Sequence, residues 1–599
     1  MKKLLSLLAT TAMMLSLAGC GGTTTPTATT TPTATTTPTA ASEGVSGTFS
    51  GEGSGKGGKI AVDVTLTNGE LTDIKVTESH ETGIISDSMD IMKAEMLEKN
   101  SSDVDMVAGA TLSSAGFKKA VKDAISKSGA TLVEKEVPKH EPVNVDETYD
   151  VVVIGAGGAG LSAAITASEA GAKVAVIDKL QMSAGNTLIS GAEYAAPNNW
   201  IQKEEGIEDS PEAMAEDMLT GGDNLADPEL VKTLCENALS GAEWLRDDVK
   251  VEWTDELMHF GGHSITRSLV PKGATGEELI TKLVAKAKDA GITLYYNVSG
   301  KEILMEDGKA IGVYGESKNG DTYTLKANRG VILATGGFGS NQDMVKQYNP
   351  ELVGYKSTDS VADTGDGITM AIEAGAELVG MEYIQTYPMC DVVSGGLLYV
   401  DDARLYGYSI MVNKEGDRFV NELGRRDVLS QAILAQTGGV CYEVMDNDGW
   451  EKASIVQNHG GEVEYLTANK KLVKADTLDE AADFFGIDKE ELAKTIATYN
   501  GYVDAGKDDD FDRLSMNMKI ENGPFYIVEA TPAIHHTMGG VKINTNAEVI
   551  DTNGNVIPNL YAAGEVTGGI HGSNRLGSCA IADITVFGRI AGTNAANNK

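Results

Sequence analysis

Between residues 60 and 66 the chain alternates: Ile60, Val62, Val64 and Leu66 are separated by residues of lower hydropathy, and after Asn68-Gly69 the alternation resumes with Ile74 and Val76. A period of two with an Asn-Gly pair at the break predicts a β-hairpin. "DSMDIMKAEMLEKN" and "SSAGFKKAVKDAIS" then take up helical spacing, so residues 45–132 are expected to form a small α+β domain. The next stretch, "VEKEVPKHEPVNVDE", is charged, carries proline and has no period, which marks a linker over 133–147.

From Tyr149 the pattern changes. "YDVVVIGAGGAGLSAAITASEAGAKVAVIDK" is an unbroken apolar strand, a glycine turn, a helix and a second strand, the grammar of a βαβ unit. Related strand-and-turn segments follow as "GVILATGGFG" at 330–339 and "NLYAAGEVTGG" near the C-terminus. The residues between, roughly 382–534, are richer in polar and aromatic side chains and include the amphipathic "IDKEELAKTIATYNGYV". The fold class is therefore α/β: a Rossmann-like nucleotide domain in two parts (148–381 and 535–599), an α+β cap inserted between them (382–534), and the small α+β domain ahead of both.

The N-terminus changes the picture of location. "MKKLLSLLATTAMMLSLAGC" has two lysines, an apolar run too short to span a bilayer and small residues before Cys20, which reads as a signal peptide over 1–19. "LAGC" resembles the lipobox of bacterial lipoproteins. That resemblance implies lipidation of Cys20 and a membrane-anchored protein on the extracytoplasmic side, with plain secretion as the alternative. "TTTPTATTTPTATTTPTA" repeats a six-residue unit with no apolar face and regular prolines, so 20–44 is an extended linker. The net charge of −38 argues against nucleic acid or an anionic lipid surface as partner. The five cysteines are scattered without metal-ligand spacing and no CxxCH occurs, so neither a metal site nor covalent c-type haem is expected.

"GAGGAG" has GxGxxG spacing. Gly155 would close the turn, Gly157 would admit a pyrophosphate, Gly160 would let helix and strand pack closely, and Asp178 would end the second strand where an acid can bind ribose hydroxyls. The motif alone does not choose between nicotinamide and flavin. Five ordered segments do: "DKLQMSAGNTLISGAEYAA", "ADTGDGI", "ATGGFG", "PAIHHTMGGVKIN" and "GEVTGGIHGSNRLG" together resemble the FAD-containing fumarate reductase and flavocytochrome c family, over nearly all of 148–599.

The resemblance implies non-covalent FAD at Ala159, Asp178, Asn186, Thr187, Gly191, Asp366, His536, Glu565, Ala580 and Ile581, with the cap over the isoalloxazine. It also implies a substrate carboxylate held by His535 and Arg575. Reduction of the adjacent C=C bond would take hydride from FAD and a proton from Arg426, the arginine of "FVNELGRRD" matching the family's donor. Arg404, with Asp401 or Asp402 in "YVDDARLYG", resembles the relay that reloads it. A guanidinium is a poor acid in water, with a pKa above about 12, so it can serve only a far more basic carbanion.

Two positions depart from fumarate reductase. "YIQTYPM" puts Tyr387 where that enzyme has a histidine, and "YVDDAR" puts Val400 and an aspartate where it has a Thr-Glu pair. A phenol and an added carboxylate suit a substrate whose far end carries N–H donors. This pattern resembles the urocanate reductases, which implies urocanate reduced to dihydrourocanate (imidazole propionate), its ring held by Tyr387, Asp402 and Glu193. A one-residue ambiguity leaves Asp401 beside Asp402 as a candidate. Other enoates (fumarate, cinnamate, methacrylate), a flavin oxidase and a surface electron carrier without substrate are the alternatives.

In the small domain, "DMVAGATLSS" resembles the FMN-binding motif in which a threonine carries FMN through a phosphoester; Thr111 would be that residue, with Ala108 departing from the usual Ser/Thr. The expected partners are then a flavin transferase and a membrane-linked electron donor, with covalent FMN relaying electrons to FAD in anaerobic respiration.

Overall fold

The computed structural model describes residues 44–81 and 83–599. The expected signal peptide, Cys20 and the repeats lie outside the described residues. In the small domain the strands Gly47–Gly55, Gly58–Thr67 and Glu70–Ser79 form an antiparallel sheet. Asn68 (φ 53°) and Gly69 (φ 81°) both take the left-handed conformation that a two-residue hairpin needs. Ile60, Val62, Val64 and Leu66 point inward and are at most 1% exposed. The helices Gly83–Lys99 and Thr111–Ser128 complete the domain. The second of these lies so close to the first strand that a Cβ at Gly53 would sit 2.0 Å from the Gly116 carbonyl.

The nucleotide domain is built on a mostly parallel sheet. Thr322–Leu333 pairs with Asn144–Ile154, which pairs with Val174–Ile177, which pairs with Thr293–Tyr295; Val556–Ala562 joins Thr322–Leu333 on the other side. Residues 144–147, expected as linker, are the first residues of the Asn144–Ile154 strand, because Thr322–Leu325 supply backbone partners for them. The helices Gly158–Glu169 and Cys579–Asn597 cross tightly, since a Cβ at Gly592 would meet the Ala163 carbonyl at 2.2 Å. Apolar strands such as Val151–Val153 and Val331–Leu333 are fully buried, as a sheet covered on both faces requires.

In the cap, Ile384–Asp391, Phe525–Thr537, Cys441–Asp446 and Ile410–Val412 form an antiparallel sheet with a hydrophobic cluster on either face. One cluster contains Met389, Leu429 and Trp450, which stacks on Tyr526 at 4.0 Å. The other contains Ile410, Ile496 and Tyr499. The expected boundary at 534/535 falls inside the continuous strand Phe525–Thr537. The strand thus carries His535 and His536 from the cap to the nucleotide domain, with a register shift that leaves His535 without a ladder partner. No helix among the described residues is long and apolar enough to cross a membrane.

The small domain docks on the nucleotide domain through Gly109. Its φ is 79°, and a Cβ there would lie 2.6 Å from the Ala184 Cβ. Gly109→Val combines a disfavoured backbone conformation with a clash that costs about 1–3 kcal/mol, so the domain contact should weaken about tenfold or more. Cleavage of the 133–143 segment in limited proteolysis should accelerate accordingly, with FAD content unchanged; an unchanged cleavage rate would contradict this role.

Candidate active site

The first cavity, about 840 Å³, opens at the carboxyl ends of the central strands and is lined by Gly155, Gly157, Ala159, Asp178, Asn186, Thr187, Asp366 and Glu565. Its glycines have separable roles. Gly155 (φ 105°) would place a Cβ 2.1 Å from the Ala334 carbonyl, and Gly160 one 1.9 Å from the Gly155 carbonyl, whereas a Cβ at Gly157 would meet nothing. Gly157 thus keeps backbone open to the cavity at the start of the Gly158–Glu169 helix, where Gly157 itself offers no capping side chain and the Gly158 N–H donates to Thr187 Oγ1 at 3.3 Å. That is a pyrophosphate cradle. Asp178 accepts the Ala156 N–H at 2.7 Å and the Leu180 N–H at 2.8 Å, so it braces the turn as well as facing the cavity. Asp366 is ion-paired at 2.6 Å to Lys179, a cavity residue that sequence reading missed. These features fit FAD.

A second cavity, about 980 Å³, continues from the first through Asn186, Thr187, Glu565 and Ile584. Gly191, Ala580, Ile581 and His536 line it, with the N-terminal end of the 19-residue helix Cys579–Asn597 supplying the middle two. Beside it Asp359, Asp363 and Glu565 approach within 4.8 Å of one another, and burial and mutual repulsion push the two aspartates well above the usual carboxylate range. Glu565 accepts the Thr537 N–H at 2.9 Å and the Asn186 amide at 3.0 Å, and lies 3.5 Å from His536.

Two arginines and a histidine line this cavity. Arg426 donates to Gln385 Oε1 at 3.0 Å, and Arg575 donates to the same oxygen at 3.1 Å. Neither forms an ion pair with a carboxylate among the described residues, and the buried Arg575 Nε has no partner. Burial, followed for Arg575 by the charge of Arg426, holds both guanidinium groups below their ordinary pKa. His535 bonds Thr358 Oγ1 through Nδ1 at 2.7 Å; burial and the two arginines push its pKa well down, so it meets a ligand as a neutral imidazole. Gln385 and Thr358 were not anticipated. Gln385 had a signal: it lies two positions before Tyr387 on one strand and so shares its face.

Two carboxyl groups line the same cavity. Glu193 and Asp402 face the cavity, and burial together with the Asp402 charge raises Glu193 to about 7. Asp401 turns the opposite way. It binds Arg404 with both oxygens at 2.6 Å and accepts the Tyr387 hydroxyl at 3.0 Å. The pair left open by the sequence is thus divided: the carboxylate that engages Arg404 is Asp401, and Asp402 is the one that lines the cavity. Tyr387 commits its hydroxyl to Asp401 and offers the cavity its ring, which packs 4.7 Å from the Arg426 guanidinium and 4.9 Å from His535. Arg404, Tyr387 and Arg426 line a small further cavity.

In the small domain Thr111 is the exposed first residue of its helix, whose N-terminus has no side-chain cap. It borders a third cavity, about 1470 Å³, with Lys56, Tyr399, His459 and Glu462, and this cavity shares Ile189, Thr358, Asp359 and Leu397–Tyr399 with the second. An anionic group at Thr111 would find free helix N–H groups, so the site fits FMN.

Comparison with known proteins agrees with this architecture. Residues 150–581 match the FAD binding domain family and residues 55–126 the FMN-binding domain family. The chain is 44% identical to a urocanate reductase of Eggerthella lenta over 93% of each chain, and 42% identical to a fumarate reductase (cytochrome) of Shewanella frigidimarina over 75% of this chain and 77% of that one. A flavocytochrome c3 fumarate reductase in its open conformation superposes with a TM-score of 0.63 at 39% identity, covering 76% of this chain and 78% of that one. The chain belongs to the FAD-dependent fumarate reductase and flavocytochrome c family, as an FAD-dependent oxidoreductase of carbon–carbon double bonds with an FMN-binding domain ahead of its FAD-binding domain.

Proposed function

We propose that this protein reduces the C=C bond of an α,β-unsaturated carboxylate with N–H groups at its far end, urocanate going to dihydrourocanate. The observation that carries the reading is the mixed lining of the second cavity, two guanidinium groups without an ion pair together with the carboxyl groups of Glu193 and Asp402; in this reading the arginines form its basic end and the carboxyl groups its acidic end. Arg575 and the neutral His535 receive the carboxylate, a fork donor and a single N–H donor fixing its plane. Asp402 and Glu193 accept the distal N–H groups, and the Tyr387 ring lies against the molecule between.

Gly157, Asp178, Asp366 and the other residues of the first cavity would hold FAD, which when bound would provide the hydride chemistry. Arg426 then protonates the α carbon, and the charge that develops toward the carboxylate is met by Arg575. The proton lost from Arg426 returns from the Arg404–Asp401 pair across the small cavity that both arginines line. Arg426 is suited to this because burial already lowers its pKa and Gln385 fixes its direction without neutralising it. The Asp401–Arg404 pair keeps its donor protonated.

FMN esterified to Thr111 would supply electrons, a reading supported by the cavity walls that the Thr111 site shares with the second cavity. With the signal-like N-terminus, the protein would be lipid-anchored through Cys20 on the extracytoplasmic side, served by a flavin transferase and a membrane-linked donor in anaerobic respiration.

Anaerobic oxidation of a reduced viologen dye should be fastest with urocanate among urocanate, fumarate, cinnamate and methacrylate; a fumarate rate equal to or above that of urocanate would overturn the assignment of the acidic end. Thr111→Ala should abolish covalent flavin in denatured protein while dye-driven activity stays within about twofold of wild type, since the second cavity is untouched. Flavin fluorescence that persists on the denatured Thr111→Ala chain would place the attachment elsewhere.

A further inference from the structure

Asp402 has no hydrogen-bond partner for its carboxylate among the described residues, yet it is only 9% exposed. The nearest polar group is His459 Nε2, 3.5 Å from its Oδ2. His459 is itself buried, and neither ring nitrogen makes a hydrogen bond. Leaving a buried polar group unpaired costs about 1–3 kcal/mol, so the unpartnered His459 ring is costly unless it closes on Asp402 in use.

The surroundings hold this arrangement from both sides. His459 (φ −133°, ψ 31°) kinks the helix Ile455–Ala468, and its ring stacks on Tyr399 at 5.0 Å and 16°. The kink is followed by Gly461, whose N–H donates to the Lys56 carbonyl of the small domain at 3.2 Å; a Cβ there would meet the Gly55 carbonyl at 2.4 Å. Glu462 then accepts the N–H groups of Tyr399 and Val400 at 3.1 and 2.9 Å, which ties the helix to the segment carrying Asp401 and Asp402. His459 borders the third cavity and Asp402 the second, so the pair spans the wall between them.

We propose that His459 is a positioning residue which holds Asp402 through Nε2 and thereby sets the preference for substrates with an N–H-bearing far end. Donation from Nε2 orients the Asp402 carboxyl group so that its oxygens face the second cavity as acceptors for the substrate. A histidine that only packed on Tyr399 would be replaceable by any ring. The inference rests on the function proposed above, and its test separates the two.

Dissociation constants of urocanate and cinnamate are read from the absorbance of bound FAD in oxidised holoprotein. His459→Phe keeps the stacked ring and removes the nitrogens; it should cut the preference for urocanate over cinnamate about tenfold or more, while His459→Gln, which retains a donor, should restore most of it. His459→Leu serves the same comparison where the phenyl ring is not accommodated. Equal weakening of both ligands, or no change in their ratio, would overturn the role given to His459. A wild-type protein without preference for urocanate would instead overturn the proposed function.

Discussion

Arg426 and Arg575 share one neutral acceptor, the Gln385 side-chain oxygen, in a buried site that gives neither a carboxylate. Two like charges brought together away from water are unfavourable unless an anion arrives, because burial strips hydration from both and the Arg426 charge depresses Arg575 further. Much of the surrounding structure keeps that imbalance in place. Gln385 is fixed through its amide, which donates to Asn574 Oδ1 and to the Arg575 carbonyl. Asn574 is held in turn by the Gly221 carbonyl. An arginine among glycine, serine and alanine in "IHGSNRLGSCA" is explained by this setting: small residues let the backbone of the nucleotide domain close around a guanidinium that is reserved for a ligand.

The cap and the nucleotide domain meet at this point through continuous secondary structure. Phe525–Thr537 begins in the cap sheet and ends with His535 and His536 at the cavity, and its register with Ile384–Asp391 sets Gln385 opposite His536. His535, His536 and the Gln385 oxygen that Arg426 and Arg575 share are thereby carried on one pair of strands. Asp402 stands on a different element, the turn carrying Asp401 and Asp402, which the cap helix Ile455–Ala468 holds and which the small domain reaches through that helix.

Much of this was readable in the residues because it depends on local backbone rules. Asn68-Gly69 can hardly be anything but a tight hairpin turn, and the three glycines of "GAGGAG" have three different steric environments, as their spacing implies. What the sequence left open depends on tertiary contacts. Asp401 and Asp402 are adjacent, and only the helical turn they occupy, with Arg404 on one side and the cavity on the other, sends them apart. The phenol of Tyr387 was expected to meet the substrate, but Asp401 competes for it. His459 had no local signal at all, since its partner lies far back in the chain. The cap boundary at 534/535 was misplaced because a strand shared between two domains shows no change of period where it crosses.

The central claim is that the unpaired guanidinium groups select an anion. Titration of oxidised holoprotein with an enoic acid and with its uncharged primary amide, followed through the absorbance of bound FAD, tests it most directly. A charge-assisted contact of about 1.5–3 kcal/mol predicts that the acid binds roughly ten- to a hundredfold more tightly than the amide, and that Arg575→Gln removes most of the difference. An amide that binds as well as the acid would contradict the account.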